Sequence, residues 1–351
     1  MALHTALTRK LGIEHPILLA PMGGASGGKL AAAVSGAGGL GLIGGAYGDP
    51  EVLEREFAAA GNIRVGCGFI TWALARRPEA LDEAISHAPA AIMLSFGDAG
   101  PFLGKIRATG IVAICQVQSL QQAREVLDQG ADIIVAQGTE AGGHGAVRAT
   151  LPFVPAVVDA AARAGQDVPV VAAGGIADGR GLAAALMLGA EGVLMGTRFY
   201  AADESLAHPA ARARVVAGSG DDTFRTTVFD RARGVDWPTH YTGRALANAF
   251  GRKWHNREEV LETEVHAERA RYAAAAAVGD FDTAVVYTGE AIDMIHSIEP
   301  AEEFFIGRSP RPKPHWRGAL TESTAAGPAK PNASCVPWYA RPRALRRRSA
   351  L

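Results

Sequence analysis

The chemistry open to this sequence is concentrated in four short segments: residues 20–28 (APMGGASGG), 137–145 (QGTEAGGHG), 170–178 (VVAAGGIAD) and 192–198 (GVLMGTR). The last two form a pair. Gly174 and Gly175 in one, Gly196 and Thr197 in the other, present backbone N–H groups just after apolar runs that end at Ala173 and Met195. Backbone amides and a helix N-terminus hold a phosphate without any charged side chain. Two such loops at consecutive strand ends point to a phosphate-bearing ligand. The segment 20–28 adds Pro21, which stiffens a strand exit, and Met22, which can pack on a ring. Gly23 and Gly24 let main chain pass close to a flat ligand.

In the segment 137–145, His144 stands beside Gly142 and Gly143 in a tight polar loop. An imidazole in such a setting acts as acid or base near neutral pH. The other nine histidines have blander surroundings; His15 precedes a proline, and His87 and His296 lie in helical stretches. Gln116 and Gln137, at strand ends, offer donors and acceptors to the edge of a ring. Cys67 and Cys115 sit in apolar runs with no base beside them and read as core residues. There is no HExxH, no CxxC pair and no carboxylate cluster, so no catalytic metal is expected.

These segments need a scaffold that brings strand ends together. Eight apolar runs supply it, at residues 17–20, 40–43, 63–68, 91–95, 112–116, 132–136, 168–173 and 192–195. The runs are continuous rather than alternating, as in strands buried on both faces of a parallel sheet. Helical stretches separate them, including 50–60 after the cap candidate Asp49, 78–87, 119–129 and 179–188. Eight strand–helix repeats in about 200 residues match a (β/α)₈ TIM barrel, whose active sites form at the strand carboxyl ends, with phosphate held after strands seven and eight. A doubly wound open sheet is the alternative, but the glycine turn it requires after the first strand is absent. The barrel therefore spans residues 1–204. Residues 205–280, richer in charge and aromatics, read as a smaller, mainly helical cap after strand eight. Residues 281–308 return to the barrel, and 309–351, rich in Pro, Ser, Gly and Arg, read as a disordered tail.

Composition narrows the setting. A chain of 351 residues that is 48% hydrophobic can bury one large core. With 35 basic and 36 acidic residues, nothing global favours nucleic acid or an anionic membrane. Three cysteines fit a reduced, cytoplasmic environment better than a disulfide scaffold. The uncharged stretch 30–48 is long enough to span a membrane, but its seven glycines favour a helix end, a turn and a buried strand.

Taken together, residues 20–45, the QGTEAGGHG loop and the stretch from Ala172 to Phe199 resemble the nitronate monooxygenase family over roughly residues 10–300. The resemblance implies an FMN cofactor, an eight-stranded barrel, and oxidation of alkyl nitronates by O₂ to carbonyl compounds and nitrite. It places the family's histidine on His144, its ring-edge glutamine on Gln137 and a nearby backbone contact on Gly142. The phosphate site falls on Gly174, Gly175, Met195, Gly196 and Thr197, and the first-strand loop on Pro21, Met22 and Gly23. Gln116, Gly143 and Ala173 complete the expected cofactor site. One position departs. Many members carry Asn near the end of strand three, where this chain has Gly68; a side-chain hydrogen bond is missing there, and residues 233–248 (RGVDWPTHYTGRALAN) are candidates to supply other contacts. A similar barrel and GGH loop occur in FMN-dependent enoyl reductases that use NADH or NADPH, which is the alternative reading. The expected partners are a small-molecule substrate and O₂.

Overall fold

The computed structural model describes residues 3–306, so the readings made for the 309–351 tail lie outside the described residues. The strands, in chain order, are β1 (Ile17–Leu19), β2 (Leu42–Ala46), β3 (Gly66–Ile70), β4 (Ala91–Ser95), β5 (Val112–Val117), β6 (Ile133–Gln137), β7 (Gly143–Gly145), β8 (Val170–Ala173), β9 (Gly192–Met195), β10 (Thr223–Thr226) and β11 (Thr242–Leu246). Eight of them form one parallel sheet in the order β1-β9-β8-β6-β5-β4-β3-β2. A parallel bridge from Leu18 to Leu40 closes it. The sheet is the (β/α)₈ barrel expected from the sequence, and the open doubly wound alternative is excluded by that closure.

Two-sided burial explains the continuous apolar runs. Leu18, Met93, Ile114, Val135, Val171 and Leu194 fill the barrel interior. Their neighbours Ile43, Ile92, Leu94, Ile134, Ala172 and Val193 pack outward against the helices. With both faces apolar, no period of two survives in the sequence. The helices start where their caps dictate. The Asp49 carboxylate accepts from Glu51 N–H at 3.1 Å and opens the helix Pro50–Ala60. Ser119 Oγ accepts from Gln122 N–H at 3.1 Å, and Asp178 from Arg180 N–H at 2.9 Å. Each such cap satisfies a helix-end amide that would otherwise lack a partner.

Two strands have an end displaced by more than two residues from the sequence reading. The run 40–43 gives way to a strand that begins at Leu42 and continues through Gly44 and Gly45 to Ala46. Glycine there is not a stop but a close approach: a β-carbon on Gly44 would lie 2.4 Å from Met22 O, in the first barrel loop. The run 63–68 becomes Gly66–Ile70 because Ile63 stands 46% exposed on the approach to the barrel. The uncharged stretch 30–48 resolves into the end of the helix Gly28–Gly36, a turn and β2. Among the described residues no helix is long and apolar enough to cross a membrane.

After β9 the chain forms the helices Pro209–Ala217, Val228–Arg233, Ala249–Trp254 and Glu258–Ala277. It also contributes β10 and β11, which pair antiparallel. β11 then captures β7, the strand that carries His144, with Gly243 opposite His144. Phe229, Phe250, Trp254, Leu261 and Tyr272 give this segment its own apolar cluster.

At the other end of the barrel, the short helix Ala6–Leu11 inserts Leu7 and Leu11 into the interior cluster, at 0% and 1% exposure. Replacing Leu7 by Ala removes apolar volume from a site that cannot collapse. The expected loss is about 2–5 kcal/mol of stability, seen as a lower urea midpoint at unchanged slope. A loss well under 1 kcal/mol would show that this helix is not part of the core.

Candidate active site

The carboxyl ends of the barrel strands surround a cavity of about 590 Å³, within the usual range of roughly 300–1,000 Å³ for small-molecule and cofactor sites. Its floor is built from the loops after β8 and β9. Gly174 and Gly175 adopt φ of +103° and +72°, the left-handed region that favours glycine. A β-carbon on Gly174 would lie 2.9 Å from Thr150 Oγ1 and 3.0 Å from Gly138 O, so the loop can close only without a side chain. Gly196 opens the short helix Thr197–Tyr200. The amides of Gly175 and Gly196 find no acceptor among the described residues. Main-chain donors that face a cavity beside a helix start fit a phosphate group.

The opposite side carries His144. Its Nε2 lies 2.8 Å from Asp230 Oδ2, and both side chains are buried. A carboxylate can only accept, so Nε2 carries the proton and Nδ1 is left as the acceptor in the neutral ring. Tyr287 donates its hydroxyl proton to Asp230 Oδ1 at 3.1 Å, and Arg233 approaches the same oxygen at 3.8 Å. Trp237 stacks on the imidazole at 3.5 Å between centroids with 3° between the planes. Burial under this ring holds His144 below the usual imidazole value; the Asp230 bond opposes the shift without overcoming it.

The loop that bears His144 is clamped from both sides. Arg225 Nη1 and Arg244 Nε donate to Thr139 O at 3.0 and 2.9 Å. Arg225 also donates to Thr242 O. Desolvation, with Arg244 nearby, pushes the Arg225 guanidinium down to about 10; Arg244 is itself paired with Glu290 at 2.9 Å. On the other flank, a β-carbon on Gly142 would come within 2.6 Å of Gly289 N. Gly289 N–H donates to Thr197 Oγ1 at 3.0 Å, which ties the returning segment to the loop after β9.

Among the residues expected from the sequence, Pro21, Met22, Gly23, Gly68, Gln116, Gln137, Gly142, Gly143, His144, Ala173, Gly174, Gly175, Gly196 and Thr197 all line this one cavity. Met195 does not; its side chain is buried between barrel and helices, and its carbonyl accepts from Ala20 N–H. Gln116 and Gln118 both donate to Gln137 Oε1, at 3.2 and 3.0 Å, and Gln137 donates to His144 O at 3.2 Å. Gly68 explains its own departure from the resembling pattern: a β-carbon there would meet Pro21 Cγ at 2.4 Å. Cys67 and Cys115 are free and buried in the core. Among the described residues no group of three or more His, Cys, Asp or Glu is placed to hold a metal ion.

Sequence reasoning did not find Asp230, Tyr287, Tyr47 or Phe96. Arg233 and Trp237 fell within the stretch 233–248 flagged for extra contacts. Asp230 carries no local signal, since it lies on the inner side of an ordinary helix, Val228–Arg233, that ends at Gly234.

The lowered value of His144 has a thermodynamic consequence. A base held neutral in the fold but free to protonate when unfolded contributes stability above its unfolded value near 6.5. That contribution is lost as pH falls through the lower folded value. His144→Gln should therefore lose less stability than the unaltered protein between pH 7.5 and pH 5, measured by urea unfolding. An equal acid-side loss in both would show that His144 is not held neutral.

The nitronate monooxygenase family model matches residues 4–88 and 77–306. A nitronate monooxygenase of Metarhizium robertsii is 34% identical over 318 residues, covering 81% of this chain and 87% of that protein. The (3aS,4S,5R,7aS)-5-hydroxy-7a-methyl-1-oxo-octahydro-1H-indene-4-carboxyl-CoA dehydrogenase of Rhodococcus jostii is 35% identical over 232 residues, which are 63% of this chain and 62% of that protein's length. Among solved structures, FabK from Thermotoga maritima matches with a TM-score of 0.76 at 30% identity, covering 92% of this chain and 99% of that one. Nitroalkane oxidase from Streptomyces ansochromogenes matches with a TM-score of 0.73 at 26% identity, covering 90% and 100%. By the extent of the family match and the site it encloses, the chain belongs to the nitronate monooxygenase family.

Proposed function

We propose that this protein is an FMN-dependent oxidoreductase that oxidises alkyl nitronates with O₂, yielding a carbonyl compound and nitrite. The observation that carries the reading is one cavity with two ends: glycine loops with free amides at one, and a neutral histidine fixed by a carboxylate at the other. Gly174, Gly175, Gly196 and Thr197 would hold the phosphate. Gln116 and Gln137 would meet the ring edge, and Pro21, Met22, Gly23 and Gly68 would lie along the ring. When bound, FMN supplies the electron chemistry, while the protein orients the reactants and sets the local polarity.

The chain's own part follows from His144. Its Nε2 proton is committed to Asp230, so Nδ1 can accept the O–H proton of a nitronic acid held in the cavity and leave the nitronate anion there. The imidazolium that forms is stabilised by Asp230 at 2.8 Å and can then hold a developing anion. Trp237 shields one face of the ring from water. The reading carries a small-molecule substrate and O₂ as partners, and a cytoplasmic setting in keeping with the free thiols of Cys67 and Cys115.

The alternative implied by the resemblance of the GGH loop is an FMN-dependent reductase that reduces an activated double bond at the expense of NADH or NADPH. The two separate cleanly. Under anaerobic conditions, a small alkyl nitronate should bleach or shift the visible flavin spectrum of the purified protein. Bleaching by NADH alone would favour the reductase, and a protein that takes up no FMN would remove both.

Residue roles give two further expectations. His144→Ala should keep its flavin and lose about 10²–10⁴-fold in turnover; undiminished turnover would remove the assigned role. Gly175→Val places a branched side chain at φ +72° against Glu140. It should lose flavin, read by absorbance after desalting, and stoichiometric flavin retention would place the phosphate elsewhere.

A further inference from the structure

Phe96 follows β4 with a φ of +65°. The left-handed region crowds the β-carbon of any L-residue, so a phenylalanine persists there only where its surroundings hold it. Ala46, at the end of β2, shows the same anomaly at +43°. Both residues line the cavity. Strain gathered at two strand ends around one cavity marks a place where ring position matters more than backbone comfort.

The surrounding aromatics say how the ring is held. Phe96 meets Trp237 edge-on at 5.2 Å and 77°, and Tyr241 at 5.3 Å and 76°. Trp237 meets Trp72 edge-on at 5.4 Å and donates its indole N–H to the Tyr47 hydroxyl at 3.2 Å. Trp237 and Tyr241 are buried, whereas Phe96 and Tyr47 are half-buried. The network therefore fixes two rings that keep a side open to the cavity. Charge completes the picture. Arg233 is the one Lys or Arg lining the cavity among the described residues. Glu140, the one lining carboxylate, is taken up by Thr150, whose N–H and hydroxyl both donate to it.

We infer that this half of the cavity recognises a flat, ring-bearing anion, with its ring against Phe96 and Tyr47 and its charge toward Arg233. Phe96 and Tyr47 are then specificity-determining residues. The inference rests on the reading of this cavity as the substrate site, and it narrows the substrate class from short alkyl nitronates to nitronates that carry an aromatic ring. A short alkyl chain would leave both fixed rings without an apolar partner, which forfeits the edge-to-face contacts that the network is arranged to offer.

The test uses two redox-inert probes of equal charge and similar size, benzoate and cyclohexanecarboxylate, titrated into the purified full chain by ligand-observed NMR. Benzoate should bind about 5-fold tighter, the size of an aromatic contact beyond simple burial. Phe96→Leu, which keeps apolar bulk without the ring, should bring the two within about 2-fold. Phe96→Gly, which also relieves the backbone, should do the same and serves if the leucine variant fails to fold. Equal affinities in the unaltered protein, or a preference that survives both variants, would overturn the inference. Neither probe reports turnover. A protein that prefers benzoate yet oxidises no nitronate would defeat the proposed reaction and leave ring recognition standing; nitronate turnover without the preference would do the reverse.

Discussion

A carboxylate buried beside an imidazole is costly unless every lone pair has a partner, and the Asp230–His144 contact sets that condition for the whole upper end of this barrel. Asp230 meets it with three groups from three places: the His144 ring, the Tyr287 hydroxyl and the Arg233 guanidinium. Each of these must be delivered by a different segment. β7 brings His144, the returning chain brings Tyr287, and the last turn of the helix Val228–Arg233 brings Arg233. The small antiparallel sheet β10–β11–β7 is the mechanical link, because it joins the barrel loop to the segment after β9 by main-chain hydrogen bonds.

The same region shows how close approach replaces side-chain bulk. Gly142 against Gly289, Gly174 against Thr150 and Gly68 against Pro21 are contacts that a single β-carbon would break. They let three loops meet around one cavity while leaving main-chain amides available. The price of that closeness is conformational freedom in the unfolded chain, and the clamp of Arg225 and Arg244 on Thr139 offsets it by fixing the loop that carries His144.

The aromatic side of the cavity is built differently. There the rings are rigid, edge-packed and partly strained, and the polar contact between Trp237 and Tyr47 locks them. A hard wall opposite a soft, amide-lined floor gives the two ends of the cavity distinct chemistries, one suited to an anionic phosphate and one to a ring.

Much of this was legible in the amino-acid order. The eight strands announce themselves because residues such as Ile92, Met93 and Leu94 are apolar on both faces, and caps such as Asp49 and Ser119 act within three residues of themselves. The glycine loops were legible because a left-handed or side-chain-free position leaves a local mark at Gly174 and Gly175. His144 stood out by its company, Gly142 and Gly143. What only the tertiary structure decided are the contacts between distant residues: Asp230 lies 86 residues from the histidine it orients, and Trp237 lies 190 from the Tyr47 it binds. An aspartate on an inner helix turn, or a phenylalanine in a loop, looks in sequence like many others. Their roles arise from barrel closure and from the β7–β11 pairing, and those are long-range consequences of burial that no local pattern encodes.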